Sequence, residues 1–215
     1  MGEAGASKRS YDASGRRARA QRTRAEIVDV ARRLFTADGY AATAIADIAR
    51  EAAVSPETIY KAFASKGALL GAVVRAAVRG DAGATPLRER PEIDAIRRET
   101  DPARQLDLYG SLLADVNPRL APLYALMREA APATDDIAAE LARLNDDRLV
   151  SMGEFAALLH ARGALRVGVS RAEARDVLWT LNSPELYELM VIRRGWSSRR
   201  YGRWVSQALK AALLP

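Results

Sequence analysis

Thr43–Leu70 reads TAIADIAREAAVSPETIYKAFASKGALL. Ile45, Ile48, Ala49 and Ala52 recur at the spacing of one helix face, which predicts a helix over 44–52. A break at Ala53–Val54 follows. Ser55-Pro56 then supplies an N-cap and a first-turn proline, the start of a second helix over 56–62. That helix buries Ile59 and Phe63 and turns Glu57, Tyr60 and Lys61 outward. After a second break, Ser65 caps a further helix that runs to about Arg79, with Leu69, Leu70, Val73 and Val74 on its buried face. Two short helices across a tight turn are the geometry that sets one helix end in a major groove.

Upstream, Ile27, Val30, Ala31, Leu34 and Phe35 form an apolar stripe that predicts a helix over 23–37, ended by Asp38-Gly39. Residues 1–20 show almost no apolar pattern and read as a mobile basic arm. Such an arm tracks phosphates, enters a minor groove, or serves only as a solubilising tail. Charge is uneven along the 215 residues. Residues 1–80 hold 14 Lys+Arg against 8 Asp+Glu, whereas residues 81–215 hold 19 of each, so the whole net charge of +6 lies in the first part. Basic charge gathered on one module is the footprint of a polyanion binder.

Gly80–Pro91 is the best domain boundary, and everything after it reads helical. Asp101-Pro102, Asn117-Pro118 and Ser183-Pro184 each join a cap to a first-turn proline, and Ser170 with Glu173 forms a capping box. Helices are expected at 89–99, 102–114, 118–130, 134–161, 171–182, 184–194 and 198–213. Loops this short imply an antiparallel bundle. The expected fold class is therefore all-α: a basic arm (1–20), a three-helix helix-turn-helix domain (21–79) and a helical C-terminal domain (80–215), with the fourth helix as the join.

The residues also carry a family pattern. Ile27, Ala31, Leu34, Phe35, Gly39 and Tyr40, then Thr43, Asp47, Ile48, Ala49, Ala52, Val54, Ser55, Thr58, Ile59, Tyr60, Phe63, Ser65, Lys66, Leu69 and Leu70 resemble the DNA-binding domain of the TetR family of bacterial transcriptional regulators. The tail WTLNSPELYELMVIRRGWSSRRYGRWVSQAL is similar to the C-terminal region of one branch of that family. The chain departs from the pattern at Ala53, where glycine is usual, at Ala46, where a polar residue is usual, and at Gly67-Ala68, where an acid is usual. The resemblance implies a homodimeric repressor, with a small-molecule effector and the dimer contact assigned to the C-terminal helices. Binding of effector changes the tilt of the fourth helix, and a near-palindromic operator follows from two recognition helices about 34 Å apart.

Candidate DNA contacts are Arg24, Thr43, Ser55, Pro56, Glu57, Thr58, Tyr60, Lys61 and Lys66. Thr43 is expected to cap the second helix, with a phosphate as a further partner. Pro56, Glu57 and Thr58 form the turn that reaches base edges; Glu57 either accepts from a cytosine amino group or is a favourable charge at a helix start. Tyr60 is expected to meet phosphate through its hydroxyl, and Lys61 phosphate or guanine. Lys66, at a helix start where the dipole disfavours cations, is expected to have a phosphate partner, and Arg24 is a weaker case of the same kind.

Candidate ligand-binding residues are Leu113, Val116, Leu120, Tyr124, Met127, Phe155, Leu159 and Trp179; each also reads as ordinary core. So few charges among them point to an apolar or aromatic effector. Arg128 and Glu129 read as solvated. Dimerisation is assigned to the last helices, which carry Val177, Leu178, Leu181, Leu186, Leu189 and Met190, then Trp204, Val205, Ala208 and Leu209; these stripes also read as ordinary core. No GxSxG, Walker, GxGxxG or HExxH motif occurs, and one histidine with no cysteine leaves little for catalysis or metal binding, so no cofactor and no enzyme activity are expected. A non-specific structural DNA binder and, behind it, a helical enzyme are the alternatives. No apolar run suits a secretion signal or a membrane span, which makes the cytoplasm the expected location.

Overall fold

The computed structural model describes the backbone of residues 4–80 and 90–215, with side chains from residue 15 onward. The boundary expected at Gly80–Pro91 falls largely on 81–89, outside the described residues. All described secondary structure is helical, and the chain divides into two compact units, Met1–Val73 and Val74–Pro215.

In the first unit, α1 (Ala4–Ala42), α2 (Ile45–Glu51), α3 (Pro56–Phe63) and the start of α4 (Lys66–Arg79) bury one contiguous core. Ile27, Ala31 and Phe35 from α1 meet Ile48 from α2, Ile59 and Phe63 from α3, and Leu69, Leu70 and Val73 from α4. Tyr40 stacks on Phe35 with ring centroids 5.8 Å apart. Of the arm expected over residues 1–20, residues 1–3 lie outside the described residues, and residues 4–20 are helical and continuous with the helix expected from Thr23. Alanine and arginine are among the strongest helix formers, and intrinsic preference, not an apolar stripe, extends this end. Gly39 breaks α1 as expected, although at φ 82° and ψ 170° it is extended on the positive-φ side, a conformation open to a residue without Cβ.

The second unit comprises the end of α4, α5 (Pro91–Arg98), α6 (Pro102–Ala130), a 3-10 turn (Ala131–Ala133), α7 (Asp135–Ala161), α8 (Arg171–Leu181), α9 (Pro184–Tyr187) and α10 (Ser198–Leu213). Two expectations are corrected. The helices expected at 102–114 and 118–130 are one, α6, which passes through Pro118 and Pro122. Both prolines are exposed while Leu113, Val116, Leu120 and Tyr124 are buried, so the carbonyls that lose a partner face water and the packed side holds the helix together. The helix expected at 184–194 is α9 followed by a π-helical segment, Glu188–Arg193.

α6 and α10 cross at Gly110 and Gly202. A Cβ added at Gly202 would overlap the Gly110 carbonyl oxygen and lie 2.9 Å from Ala114 Cβ; one added at Gly110 would lie 3.0 Å from Ser206 Cβ. Beside this contact, Ser206 Oγ donates to Asp107 at 2.6 Å and Lys210 pairs with Asp107 at 2.7 Å. Burial acts to raise the Asp107 carboxyl, but Lys210 and Ser206 outweigh it and hold the group below its ordinary range. The end of α4 within this unit is clasped by charge. Arg75 reaches the buried carboxylate of Glu140 on α7 at 2.6 Å, Arg143 completes the group at 2.6 Å, and Arg119 donates to the Ala77 carbonyl at 3.2 Å.

Candidate nucleic-acid interface

The turn between α2 and α3 is built by backbone hydrogen bonds. Ala53 N–H donates to Arg50 O at 3.3 Å and Val54 N–H donates to Ala49 O at 3.0 Å, a Schellman closure. Ala53 sits at φ 51°, the left-handed conformation that glycine takes in this closure. Ser55 then caps α3: its Oγ accepts from Thr58 N at 3.3 Å and lies 3.2 Å from Thr58 Oγ1. Pro56 occupies the first turn. Glu57 is held below the ordinary carboxylate range by the Ser55 hydroxyl and its own backbone amide. At the far end of α3, Ala64 has φ 65° and ψ −43°, and Ser65 N–H donates to Phe63 O at 2.8 Å, closing a tight γ-turn. Ser65 Oγ then accepts from Ala68 N at 3.0 Å and caps α4.

This frame gives α3 two faces. Ile59 and Phe63 are buried, whereas Ser55, Pro56, Glu57, Thr58, Tyr60 and Lys61 are all exposed, Tyr60 by 52%. Lys61 has no ion pair among the described residues. The six lie together on one helix end and its outer face.

The other three candidates, buried Thr43, half-buried Lys66 and exposed Arg24, each make a contact within the chain. Thr43 is 3% exposed and its hydroxyl donates to Gly39 O at 2.7 Å. It does not cap α2: the N-cap is Ala44, with no side-chain hydrogen bond, because the Thr43 hydroxyl closes the kink at Gly39 instead. Lys66 Nζ lies 4.2 Å from the centroid of the Tyr40 ring, so this cation at a helix start has an aromatic partner within the chain. Arg24 lies over the Phe63 ring at 4.0 Å and donates to Ala62 O, bracing the C-terminal end of α3. Both cations have intramolecular partners that sequence spacing does not disclose.

In the second unit, Leu113, Val116, Leu120, Tyr124, Met127, Phe155 and Leu159 are all buried and packed as core. Trp179 is half-buried and lines a surface depression of about 210 Å3, with Asn145, Arg148, Thr180, Ser183 and Glu185. Arg128 is not solvated: it approaches Glu185 at 3.2 Å and donates to Glu188. Glu188 is held below the ordinary range, by Arg193 most strongly and by Arg128. Asn145, Arg148 and Glu185 escape sequence reading because they lie among the polar positions of their helices and only tertiary packing brings them to Trp179.

Residues 27–73 match the sequence model of bacterial regulatory proteins of the tetR family. No curated protein matches the chain. Solved structures share its fold: a TetR-family protein from Mesorhizobium loti is 22% identical with a TM-score of 0.64, covering 90% of this chain and 96% of that one. A transcriptional regulator from Saccharomonospora viridis, solved with choline, is 18% identical with a TM-score of 0.66, covering 91% and 99%. NalD of Pseudomonas aeruginosa, the secondary repressor of the MexAB-OprM multidrug efflux pump, is 19% identical with a TM-score of 0.66, covering 90% and 96%. No described helix is long and apolar enough to cross a membrane. Residues 27–73 therefore carry a helix-turn-helix module of the tetR family of bacterial regulatory proteins, and the helical fold of the chain is shared over most of its length with solved TetR-family structures.

Proposed function

We propose that the protein is a homodimeric repressor whose paired α3 helices hold a near-palindromic operator and let go when a small molecule occupies the C-terminal unit. The observation that carries this reading is the outer face of α3, where Pro56, Glu57, Thr58, Tyr60 and Lys61 are exposed together at the end of a helix anchored from behind by Ile59 and Phe63. Pro56, Glu57 and Thr58 meet base edges, and Tyr60 and Lys61 meet phosphate. Ser55 fixes the helix start. Thr43, Lys66 and Arg24 act mainly by positioning the module, with backbone amides near Thr43 left for phosphate. Residues 21–79 form the DNA-binding domain and 80–215 the effector-binding and dimerisation domain.

Dimerisation through the last helices is supported by their unpartnered apolar side chains: Leu189 is 47% and Ile192 56% exposed, with Val177 and Leu181 half-buried. A tight Leu178, Val205 and Leu209 core lies behind that face. Release runs through α4, whose C-terminal end is fastened to α6 and α7 by Arg119 and Arg75. A movement of those helices changes the tilt of α4.

The deciding experiment is capture of genomic fragments by the purified protein, footprinting of the strongest, and comparison of that site with random DNA at matched salt. A repressor of this kind binds its site at least a thousandfold more tightly than random sequence. Equal affinity for both assigns the protein instead to non-specific DNA binding. Repeating the footprint with a small-molecule extract of the cells tests release.

A further inference from the structure

We propose that the depression between α7, α8 and α9 is the mouth of the effector site and that it takes a small organic anion, a carboxylate on an apolar or aromatic body, held by the guanidinium of Arg148. This rests on the reading that the C-terminal unit binds a small molecule, and it adds a carboxylate to the apolar or aromatic effector expected from the core residues.

Arg148 is placed as a clamp. Its NH1 donates to Asn145 Oδ1 at 2.9 Å, its NH2 donates to the Trp179 carbonyl at 2.8 Å, and the group lies 5.0 Å from the centroid of the Trp179 ring. Trp179 is itself fixed, its Nε1 donating to Asn145 O at 3.3 Å. The third nitrogen of Arg148, Nε, is buried and has no acceptor within hydrogen-bond distance among the described residues, and the guanidinium also faces the neutral Tyr124 phenol. No carboxylate pairs with Arg148 among the described residues, whereas the half-buried Arg128 pairs with Glu188 and the half-buried Arg75 with Glu140. Glu185, the one acid lining the depression, faces Arg128 at 3.2 Å.

The depression therefore holds a permanent positive charge whose partners are all neutral, together with a donor that nothing satisfies. A guanidinium carries only donors and matches a carboxylate with two parallel hydrogen bonds. A buried donor without an acceptor is costly, and a ligand oxygen removes that cost on binding. The charge also reaches inward: burial raises the Tyr124 phenol, and Arg148 is the largest influence opposing it. Trp179, which lines the depression beside the guanidinium, suits a planar apolar body attached to the carboxylate.

The test titrates the full-length protein with phenylacetate, its neutral isostere phenylacetamide, and choline. Two readouts are followed: melting temperature, and Trp179 fluorescence in a Trp196→Phe, Trp204→Phe background. Phenylacetate is expected to raise the melting temperature and change the fluorescence, with phenylacetamide at least tenfold weaker and choline without effect. Arg148→Gln is expected to abolish the preference for the carboxylate over the amide, and Arg148→Lys, which keeps the charge without the fork, to retain part of it. The ligand-side comparison needs no variant, so it stands if Arg148→Gln folds poorly. A response to the amide or choline alone overturns the anion assignment and leaves the small-molecule reading in place. No response to any of the three also overturns the anion assignment, and release of the footprint by cell extract then decides the broader reading. An undiminished carboxylate preference in Arg148→Gln overturns the role of Arg148.

Discussion

Gly202→Ala is expected to destabilise the C-terminal unit although alanine is the better helix former. The gain in helix propensity is about 1 kcal/mol. Against it stands the crossing of α6 and α10, where the new Cβ would lie 2.9 Å from Ala114 Cβ and overlap the Gly110 carbonyl oxygen. Carbon atoms pack best at about 3.5–4.0 Å, so the two helices must part by roughly 0.6–1 Å, and neither obstacle is the movable end of a flexible side chain. Overpacking of this kind costs about 1–3 kcal/mol. Parting the helices also lengthens the Ser206 and Lys210 contacts to Asp107, together worth roughly another 1–2 kcal/mol. The net loss is about 1–4 kcal/mol, a fall in melting temperature of about 2–16 °C for a protein of this size. Gly153→Ala is the matched control. It also lies inside a helix, α7, but its Cβ would meet only Arg175 Cδ at 3.7 Å, an ordinary contact. It should raise the melting temperature by about 2–4 °C. Calorimetry or circular dichroism on the three proteins measures both shifts. Shifts of the same sign in the two variants would refute the claim that backbone proximity sets the requirement for glycine at residue 202.

Ala53→Gly should stabilise the N-terminal unit by about 0.5–1 kcal/mol, because the left-handed strain at φ 51° outweighs the chain entropy that glycine adds to the unfolded state; a lower urea midpoint for the variant would contradict this. Lys61→Gln should weaken binding to operator and random DNA alike and reduce the slope of log affinity against log salt by about 1, whereas Lys66→Gln, which removes a cation from the Tyr40 ring, should act mainly on stability. An unchanged slope for Lys61→Gln removes that residue from the interface. Stability should be flat above about pH 5 and fall as the pH drops below about 4. The Asp107 carboxyl, ordinarily at 3.8, and that of Glu188, ordinarily at 4.5, are both lowered in the folded protein, so the stabilisation they give is complete above those values and lost as acid protonates them. Asp107→Asn should flatten part of that acid limb in equilibrium unfolding.

The reading head was legible in the chain because its punctuation is local. Ser55-Pro56 and Ser65 act on neighbouring backbone amides, so α3 starts at Pro56 and α4 within a residue of the expected place. Where the expectation failed, distant packing or bulk propensity had overruled a local mark. Asn117-Pro118 carries every sign of a helix start, yet the buried side of α6 runs straight through it. Ser183-Pro184 does start a helix, but its continuation widens into π geometry, where Glu188 meets Arg128 sixty positions away in the chain. The exposed face of α3 could be read from periodicity alone. The partners of Arg24, Lys66 and Arg148 could not, because an aromatic ring or a carbonyl brought up by the fold leaves no mark at fixed spacing.

The clasp around Glu140 sets an energy scale for any switch built on this chain. Its carboxylate is 2% exposed and is shared by Arg75, near the end of α4, and Arg143. Withdrawing one cation from a buried anion costs about 3–5 kcal/mol where the pair is fully enclosed, and less here because Arg75 is partly in water. A ligand whose preference between two conformations must reverse a population from 1:99 to 99:1 has to supply about 5.5 kcal/mol of difference. If α4 moves by letting go of Glu140, much of that difference goes into a single ion pair, and softening the pair would yield a sensor that trips at lower ligand concentration and leaks more readily without it.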